Sequence, residues 1–178
     1  MPAARLSKRL MRTLGYPDVA ALPKEKQRDL RSFWWDGFFA ALAGAFANSY
    51  HTLYLLSLGA SSAQIGLVST LSQLAAGMSI PGAMIADRTG RYKQVVLRAG
   101  ILNRLMWPLM VLSPLILIGP AAVWVSMLAL VGISAFGNLG QPAWAALSAE
   151  FVPSHMRGGY FASRTIAIQI GQPAALPV

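Results

Sequence analysis

Beyond the polar N-terminal segment, charged side chains gather mainly at two short stretches of this sequence. The first reads Asp87-Arg88-Thr89-Gly90-Arg91, and the second carries Glu150, Pro153, Arg157 and Gly158. An Asp at the C-terminal end of a helix is unfavourable against the helix dipole, and two nearby arginines can neutralise it through charge-assisted hydrogen bonds. Gly90 suits a tight turn in which one residue has a positive φ. The chemistry predicted for the first stretch is therefore ion pairing.

Catalytic, metal-binding and cofactor chemistry find no comparable support in the sequence. The chain has no Cys, which excludes disulfides, thiolate catalysis and Cys-ligated metal sites. Its two histidines, His51 and His155, are far apart along the chain. The sequence offers no nucleophile–base pair, metal-ligand cluster or phosphate-cradling Gly loop. We therefore predict that the protein is not an enzyme and has no catalytic residue, metal or cofactor.

The composition indicates a membrane protein. Of the 178 residues, 55% are hydrophobic and 12% are charged, against roughly 25% charged in soluble domains. About 20 apolar residues in a helix cross a bilayer core of about 30 Å. Apolar runs long enough for this occupy residues 33–59, 62–86, 95–118, 121–148 and 160–178. They are too long for barrel strands, so we predict an all-α, polytopic transmembrane helical bundle.

The basic residues predict how the chain is oriented. Eight Lys and Arg precede the first apolar run, five lie between Arg88 and Arg104, and two are Arg157 and Arg164. The positive-inside rule then places the N-terminus in the cytoplasm of a multi-pass plasma-membrane protein. Topology accounts for the net charge of +9, so no nucleic-acid partner is predicted. Residues 1–32 form a basic cytoplasmic segment, in which residues 5–14 are either an amphipathic helix on the membrane or part of a flexible tail.

Both charged stretches resemble the loops of one transporter family. The sequence from Asp87 to Arg91, between the second and third runs, resembles the signature loop of the major facilitator superfamily, with Tyr92 where a basic residue is usual. The Glu-x-x-Pro-x-x-x-Arg-Gly spacing from Glu150 to Gly158 is similar to a second signature, between the fourth and fifth runs. A generic cytoplasmic hairpin turn would also carry Arg and Lys, but it does not require Asp before Arg-x-Gly-Arg.

The resemblance implies a fold and a role for these loops. The family is built from two six-helix halves that rock about a central substrate site, and the chain corresponds to the first four and a half of about twelve helices. The resemblance further implies that Asp87, Arg88 and Arg91 form a cytoplasmic charge cluster with Glu150 and Arg157. This cluster would hold the outward-facing state, so these residues and Gly90, Pro153 and Gly158 are expected to be conformational-switch elements.

Polar and small residues recur along the apolar runs at spacings of three and four. In the first run they are Gly37, Ala41, Gly44, Asn48 and His51, and in the second Gly66, Thr70, Gln73 and Gly77. Such a face either packs against another helix or borders a hydrated cavity. We favour helix packing for the Gly and Ala positions. For the polar positions, both helix packing and a hydrated cavity stay open. The candidates for a substrate cavity are Asn48, His51, Gln73, Asn138, Gln141 and Gln169.

Two charges are expected within the apolar runs. Asp36 lies near the start of the first run beside Trp34 and Trp35, which favours a place at the membrane interface over a role in proton coupling. Arg104 lies deeper, in the third run, where a long cationic side chain is expected to extend back towards the cytoplasm. Pairing of Arg104 with Asp36 or Glu150 is an alternative. His51 is a further candidate for a proton site.

These patterns support two functional hypotheses. The first is the N-terminal portion of a secondary transporter for a small solute. Because the chain ends within the fifth run, this hypothesis expects a truncated product that is inactive without the C-terminal half of the fold. The second is a small multi-span scaffold or partner subunit without transport activity. The lipid bilayer is the expected environment under both, and the sequence assigns neither the substrate nor the coupling ion.

Overall fold

The computed structural model describes residues 22–171, apart from the side chains of residues 48, 49, 170 and 171. Every regular element in that range is helical, which confirms the predicted all-α fold. The candidate amphipathic helix at residues 5–14 and the last part of the fifth apolar run lie outside the described residues.

Six α-helices and two short 3₁₀ helices make up the described chain. The α-helices are α1 (Lys24–Ser57), α2 (Ser62–Leu74), α3 (Ser79–Thr89), α4 (Tyr92–Ile116), α5 (Pro120–Phe151) and α6 (Arg157–Gly171). The 3₁₀ helices are Ala75–Met78 and Ser154–Met156. By length and composition, two of the described helices, α4 and α5, are apolar enough to cross a bilayer.

Helix α1 begins earlier than the apolar run that it contains. It starts at Lys24 and continues without interruption to Ser57, so residues 24–32 of the predicted basic segment belong to the same helix as the apolar run. After the turn at Gly59, Ser61 begins α2 with a capping box: its hydroxyl accepts the Gln64 N–H, and the Gln64 side chain accepts the Ser61 N–H at 2.8 Å. This arrangement satisfies two backbone donors that the start of a helix leaves unpaired.

The apolar run at residues 62–86 is two helices rather than one. Helix α2 ends at Leu74, and a turn of 3₁₀ helix over Ala75–Met78 separates it from α3. Pro81 explains this break, because a proline has no N–H to donate to the carbonyl four residues earlier, here Gly77, and its ring crowds that carbonyl. The backbone tightens into 3₁₀ geometry where the α-helical bond is missing.

The chain divides into two compact units. The central unit is His51–Ser148, and the terminal unit is Met1–Tyr50 with Ala149–Val178. In the central unit, the end of α1, α2, α4 and α5 enclose an apolar core that includes Leu55, Val68, Met110 and Met127. In the terminal unit, α1 and α6 enclose a second core, formed by Leu30, Trp34, Val152, Tyr160 and Ala167.

Candidate functional site: charged loops and polar helix faces

The first charged loop is a tight hairpin between α3 and α4. Gly90 ends α3 with φ +60°, and its N–H donates to the Ala86 carbonyl at 2.9 Å. A side chain at this left-handed position would strain the backbone. The predicted positive φ at Gly90 is therefore confirmed, and it allows α4 to begin two residues later, at Tyr92.

The charged side chains of this loop are exposed, and a tyrosine contacts its acid. The Tyr92 hydroxyl donates to Oδ1 of Asp87 at 3.2 Å, and Asp87, Arg88 and Arg91 are all exposed. The Thr89 hydroxyl donates to the Ile85 carbonyl at 2.7 Å and fixes the last turn of α3. Tyr92 thus supplies a hydrogen bond to Asp87 from the position where the resembling family usually carries a basic residue.

The second charged loop is held by its arginine. Helix α5 ends at Phe151, Val152 is buried, and Pro153 leads into the 3₁₀ turn before α6. Nε of Arg157 donates to the Val152 carbonyl at 3.0 Å. This bond satisfies an acceptor just beyond the C-terminal end of a helix, where carbonyl groups lack an intrahelical partner. Gly158 is exposed, with nothing described within 4 Å of a Cβ built on it.

Glu150, the acid of the second loop, lines a cavity of about 400 Å³ in the terminal unit. The other charged residues around this cavity are Glu25, Lys26 and Asp29, from the first turns of α1. Across residues 22–171, no group of three or more acidic or histidine side chains is arranged to hold a metal ion. Because Glu150 and Arg157 belong to one unit and the first loop to the other, the cluster of five charges stays a prediction.

The candidate cavity residues differ in their surroundings. In the central unit, the ring of half-buried His51 lies 5.6 Å from that of Trp107, and its Nε2 is buried without a hydrogen-bond partner among the described residues. Asn138 donates to the Ser134 carbonyl of its own helix at 2.8 Å, whereas Gln73 and Gln141 are exposed. In the terminal unit, Gln169 is exposed, and the Asn48 side chain is outside the described set.

Small residues do pack between helices, but at positions other than most of the predicted ones. A Cβ on Gly82 would collide with the Leu139 carbonyl, and one on Gly140 would lie 3.1 Å from Cβ of Ala99. Nothing described lies within 4 Å of a Cβ built on Gly44, Gly66 or Gly77. Since a glycine lets two backbones approach closely only where a second helix is present, spacing within one run could not reveal which glycines are packed.

Polar contacts between α4 and its neighbours were also missed by the sequence analysis. Nδ2 of Asn103 donates to the Ile133 carbonyl of α5 at 2.7 Å, and the hydroxyls of Ser113 and Ser126 lie 2.7 Å apart. The Tyr54 hydroxyl donates to the Met110 carbonyl at 2.7 Å. Pro114 has no N–H for that carbonyl, four residues before it, so Tyr54 replaces the missing helical bond. Pro114, within the third apolar run, was the feature of the sequence that could have indicated the contact with the Met110 carbonyl.

Arg164 is a charge within the fifth run that the sequence analysis counted without singling out. Its guanidinium carbon lies 4.9 Å from the centre of the Phe33 ring, in cation–π geometry. A Cβ on Gly37 would collide with the guanidinium, and Asp36 is near enough to stabilise its positive charge. Asp36 is thus an electrostatic neighbour of Arg164 in the terminal unit. Arg104 is exposed, and its terminal nitrogen lies beside Gly100, one turn back along α4.

The comparison with protein families finds a match to a transporter superfamily. The model of the Major Facilitator Superfamily matches residues 13–178 of this chain. The chain belongs to the Major Facilitator Superfamily. Members of this superfamily are membrane transporters of small solutes, so the chain is a membrane protein of a transporter family. No curated protein and no solved structure matches it.

Proposed function

We propose that this chain supplies helices to a secondary transporter that moves a small solute across the cytoplasmic membrane by alternating access, with its N-terminus in the cytoplasm. The observation that carries the proposal is the superfamily match over residues 13–178. In this superfamily, two six-helix halves enclose the solute path. We therefore infer that these helices form one side of the path and that a second half is needed for flux.

The two charged loops are proposed to act as the conformational switch. Asp87, Arg88 and Arg91 are exposed on a hairpin that Gly90 holds in one turn geometry. Arg157 is tied to the Val152 carbonyl, which fixes the start of α6 close to Glu150. An exposed ion pair contributes less than about 1 kcal/mol. A contact of that strength suits a switch, because it has to form and break in every transport cycle.

The solute-facing side of these helices is proposed to include the exposed polar residues. Gln73, Gln141 and Gln169 are exposed although each lies on a largely apolar helix. An amide is costly when it faces lipid, and such residues face a cavity or another helix instead. Asn48, His51 and Asn138 are proposed as further solute-facing residues of their own helices, because they lie at equivalent spacings along their own runs.

The absence of Cys from the chain makes a direct test possible. Gln73→Cys and Leu74→Cys are neighbouring, exposed positions at the end of α2, so they form a matched pair. In native membranes, a membrane-impermeant maleimide is expected to label Gln73→Cys several-fold faster than Leu74→Cys, because thiolates react only where water reaches them. Equal labelling of the two variants would contradict a hydrated solute-facing surface at Gln73.

Orientation is tested with the same reagent. Lys93→Cys and Ile118→Cys lie near opposite ends of α4, so they should label on opposite faces of the membrane. We expect Lys93→Cys to label in inside-out vesicles and Ile118→Cys in right-side-out vesicles, in line with the positive-inside rule. The reverse pattern would contradict the proposed cytoplasmic N-terminus.

Flux measurements and native gels complete the test. Proteoliposomes holding the chain alone are expected to show no solute uptake above protein-free liposomes, because one side of a path does not enclose a site. Saturable uptake by the chain alone would contradict the need for a second half. A stable complex with an unrelated membrane protein on blue-native gels, together with equal labelling of Gln73→Cys and Leu74→Cys, would indicate a scaffold instead.

A further inference from the structure

Helix α1 extends beyond its apolar run, and three cations of this extension lie on one face. Lys24, Arg28 and Arg31 follow each other at spacings of four and three residues within α1, which places them on the same side of the helix. Lys24 and Arg28 are exposed, and Arg31 is partly exposed. We call these three residues the cationic row, which extends about 10 Å along the helix axis.

The acids of the same segment lie on another face of α1. Glu25 and Asp29 line the cavity of about 400 Å³ together with Glu150, and no member of the cationic row belongs to that lining. Within residues 22–171, no ion pair or hydrogen bond joins a side chain of the cationic row to another residue. The neighbouring acids of the described chain therefore do not neutralise this face of α1.

The cationic row is unfavourable for the helix that carries it. Lys24 and Arg28 are like charges four residues apart, and such pairs destabilise a helix. Lys24 is also the first residue of α1, where the positive end of the helix dipole disfavours a cation. An anion bound along the row would offset both effects.

Two aromatic side chains continue the same face towards the apolar part of α1. Trp35 follows Arg31 by four residues, and Phe39 follows Trp35 by four, so both lie on the side of the cationic row. Their ring centroids are 5.7 Å apart, and Phe39 is 59% exposed. Tryptophan is enriched where a helix passes from water into a membrane. One face of α1 thus changes from cationic to aromatic over about 22 Å.

We propose that this face, the cationic row with Trp35 and Phe39, binds an anionic phospholipid where α1 enters the membrane. The phosphate lies between Arg28 and Arg31, because guanidinium groups bind phosphate oxygens well, and an acyl chain lies along Phe39. A soluble anion has no part that contacts the rings, and a neutral lipid has no net charge for the cations. The inference rests on the proposed function only for the placement of α1 in the membrane.

The test is native mass spectrometry of the full chain in a mild detergent. The chain is titrated with phosphatidylglycerol or with phosphatidylcholine of the same acyl composition, and we expect tighter binding of the anionic lipid. Arg28→Gln and Arg31→Gln should each weaken phosphatidylglycerol binding about fivefold, the contribution of one arginine near an anionic lipid surface. Equal affinity for the two lipids would overturn the proposal.

Lys26→Gln is the matched control, because it removes the same charge from the opposite side of α1. At 3.6 residues per turn, Lys26 lies about 160° around the helix from Arg28, and it lines the acidic cavity instead. We expect it to change phosphatidylglycerol binding less than about twofold, because the helix separates it from the phosphate by about a Debye length. Equal weakening by Lys26→Gln and Arg28→Gln would show non-specific attraction and overturn the site. Circular dichroism of all three variants checks that helix content is unchanged.

The aromatic end is tested separately from the charge. Phe39→Ala should weaken phosphatidylglycerol binding several-fold while leaving the cationic row in place. Glycerol phosphate, which has the anion but no acyl chain, should not displace the lipid, and displacement at equal concentration would reassign the site to soluble phosphate. In the Cys-free chain, disulfide-linked dimers of Phe39→Cys formed in membranes would indicate that a second copy covers this face, and would overturn lipid binding there.

Maleimide labelling distinguishes failure of this proposal from failure of the proposed function. In permeabilised membranes, Lys24→Cys should be labelled several-fold faster than Phe39→Cys, because thiolates react only where water reaches them. Equal labelling would place this part of α1 outside the bilayer and contradict both proposals. Slow labelling of Phe39→Cys, together with equal affinity for the two lipids, would overturn lipid binding alone.

Discussion

The terminal and central units are held together by different kinds of contact. In the central unit, α3, α4 and α5 meet through small residues, with Gly82 against the Leu139 backbone and Gly140 against Ala99. In the terminal unit, α1 and α6 meet through large aromatic side chains, of which Trp34 and Tyr160 are almost completely buried. Helices can thus associate through close backbone approach at glycines or through packed aromatic rings. Adding side-chain volume should disrupt the first kind of contact, and removing side-chain volume should disrupt the second.

Hydrogen bonds reinforce the aromatic contacts of the terminal unit. The Tyr160 hydroxyl donates to the Leu30 carbonyl at 2.7 Å, and Nε1 of Trp34 donates to the Ser163 hydroxyl at 3.3 Å. That hydroxyl in turn donates to the Tyr160 carbonyl at 2.8 Å. Each buried ring therefore packs against apolar neighbours while its polar atom has a partner, as buried Tyr and Trp require.

Removing the buried ring of Trp34 should have the largest effect on stability. We expect Trp34→Ala to lower the free energy of unfolding by about 3 kcal/mol or more, because a large cavity opens between α1 and α6. Titration of the detergent-solubilised chain with SDS, followed by circular dichroism, measures the change. Trp124→Ala is the matched control, since Trp124 is 47% exposed in the central unit. Equal losses in the two variants would show that the terminal unit does not depend on its aromatic core.

Adding a single methyl group should have the next largest effect, in the central unit. Gly82→Ala would place a Cβ against the Leu139 carbonyl, and because that neighbour is backbone, α3 and α5 must move apart. Overpacking of this kind costs about 1–3 kcal/mol. Gly66→Ala is the control, with open space around its Cβ, and it should be neutral or stabilising by up to about 1 kcal/mol. The same SDS titration compares them, and a neutral Gly82→Ala would contradict close packing there.

The features that can be predicted from this sequence are those that residues within one segment determine. The helical class, the turn at Gly90 and the approximate extents of α4 and α5 follow from hydropathy and turn chemistry within one segment. The break before α3 follows from Pro81, but a hydropathy profile alone does not reveal this break. The partners of Arg164 and of Gly82 come from other helices, and no spacing within one run specifies them. The candidate cavity residues depend still more on how helices associate, so they stay predictions.

The smallest expected effect concerns the carbonyl of Met110, which Pro114 deprives of its helical partner. Two hydroxyls replace that partner: Tyr54 donates to it at 2.7 Å and Ser113 at 2.9 Å. Either hydroxyl alone keeps the carbonyl satisfied, so Tyr54→Phe should cost only about 0.6 kcal/mol, the average for hydrogen bonds between membrane helices. Ser113→Ala should cost somewhat more, because the Ser126 hydroxyl also loses its partner.

The double variant of Tyr54 and Ser113 distinguishes replacement of the helical bond from ordinary packing. Removing both hydroxyls leaves the Met110 carbonyl without either donor, so the loss should exceed the sum of the single losses by about 1 kcal/mol in a double-mutant cycle. Tyr160→Phe is the control, because it removes the hydroxyl that donates to the Leu30 carbonyl. That carbonyl still accepts the N–H of Trp34, four residues later in α1, and it is not hydrogen-bonded to Ser113. Its effect should add to that of Ser113→Ala. If the losses from Tyr54 and Ser113 add as well, the two hydroxyls contribute independently of Pro114.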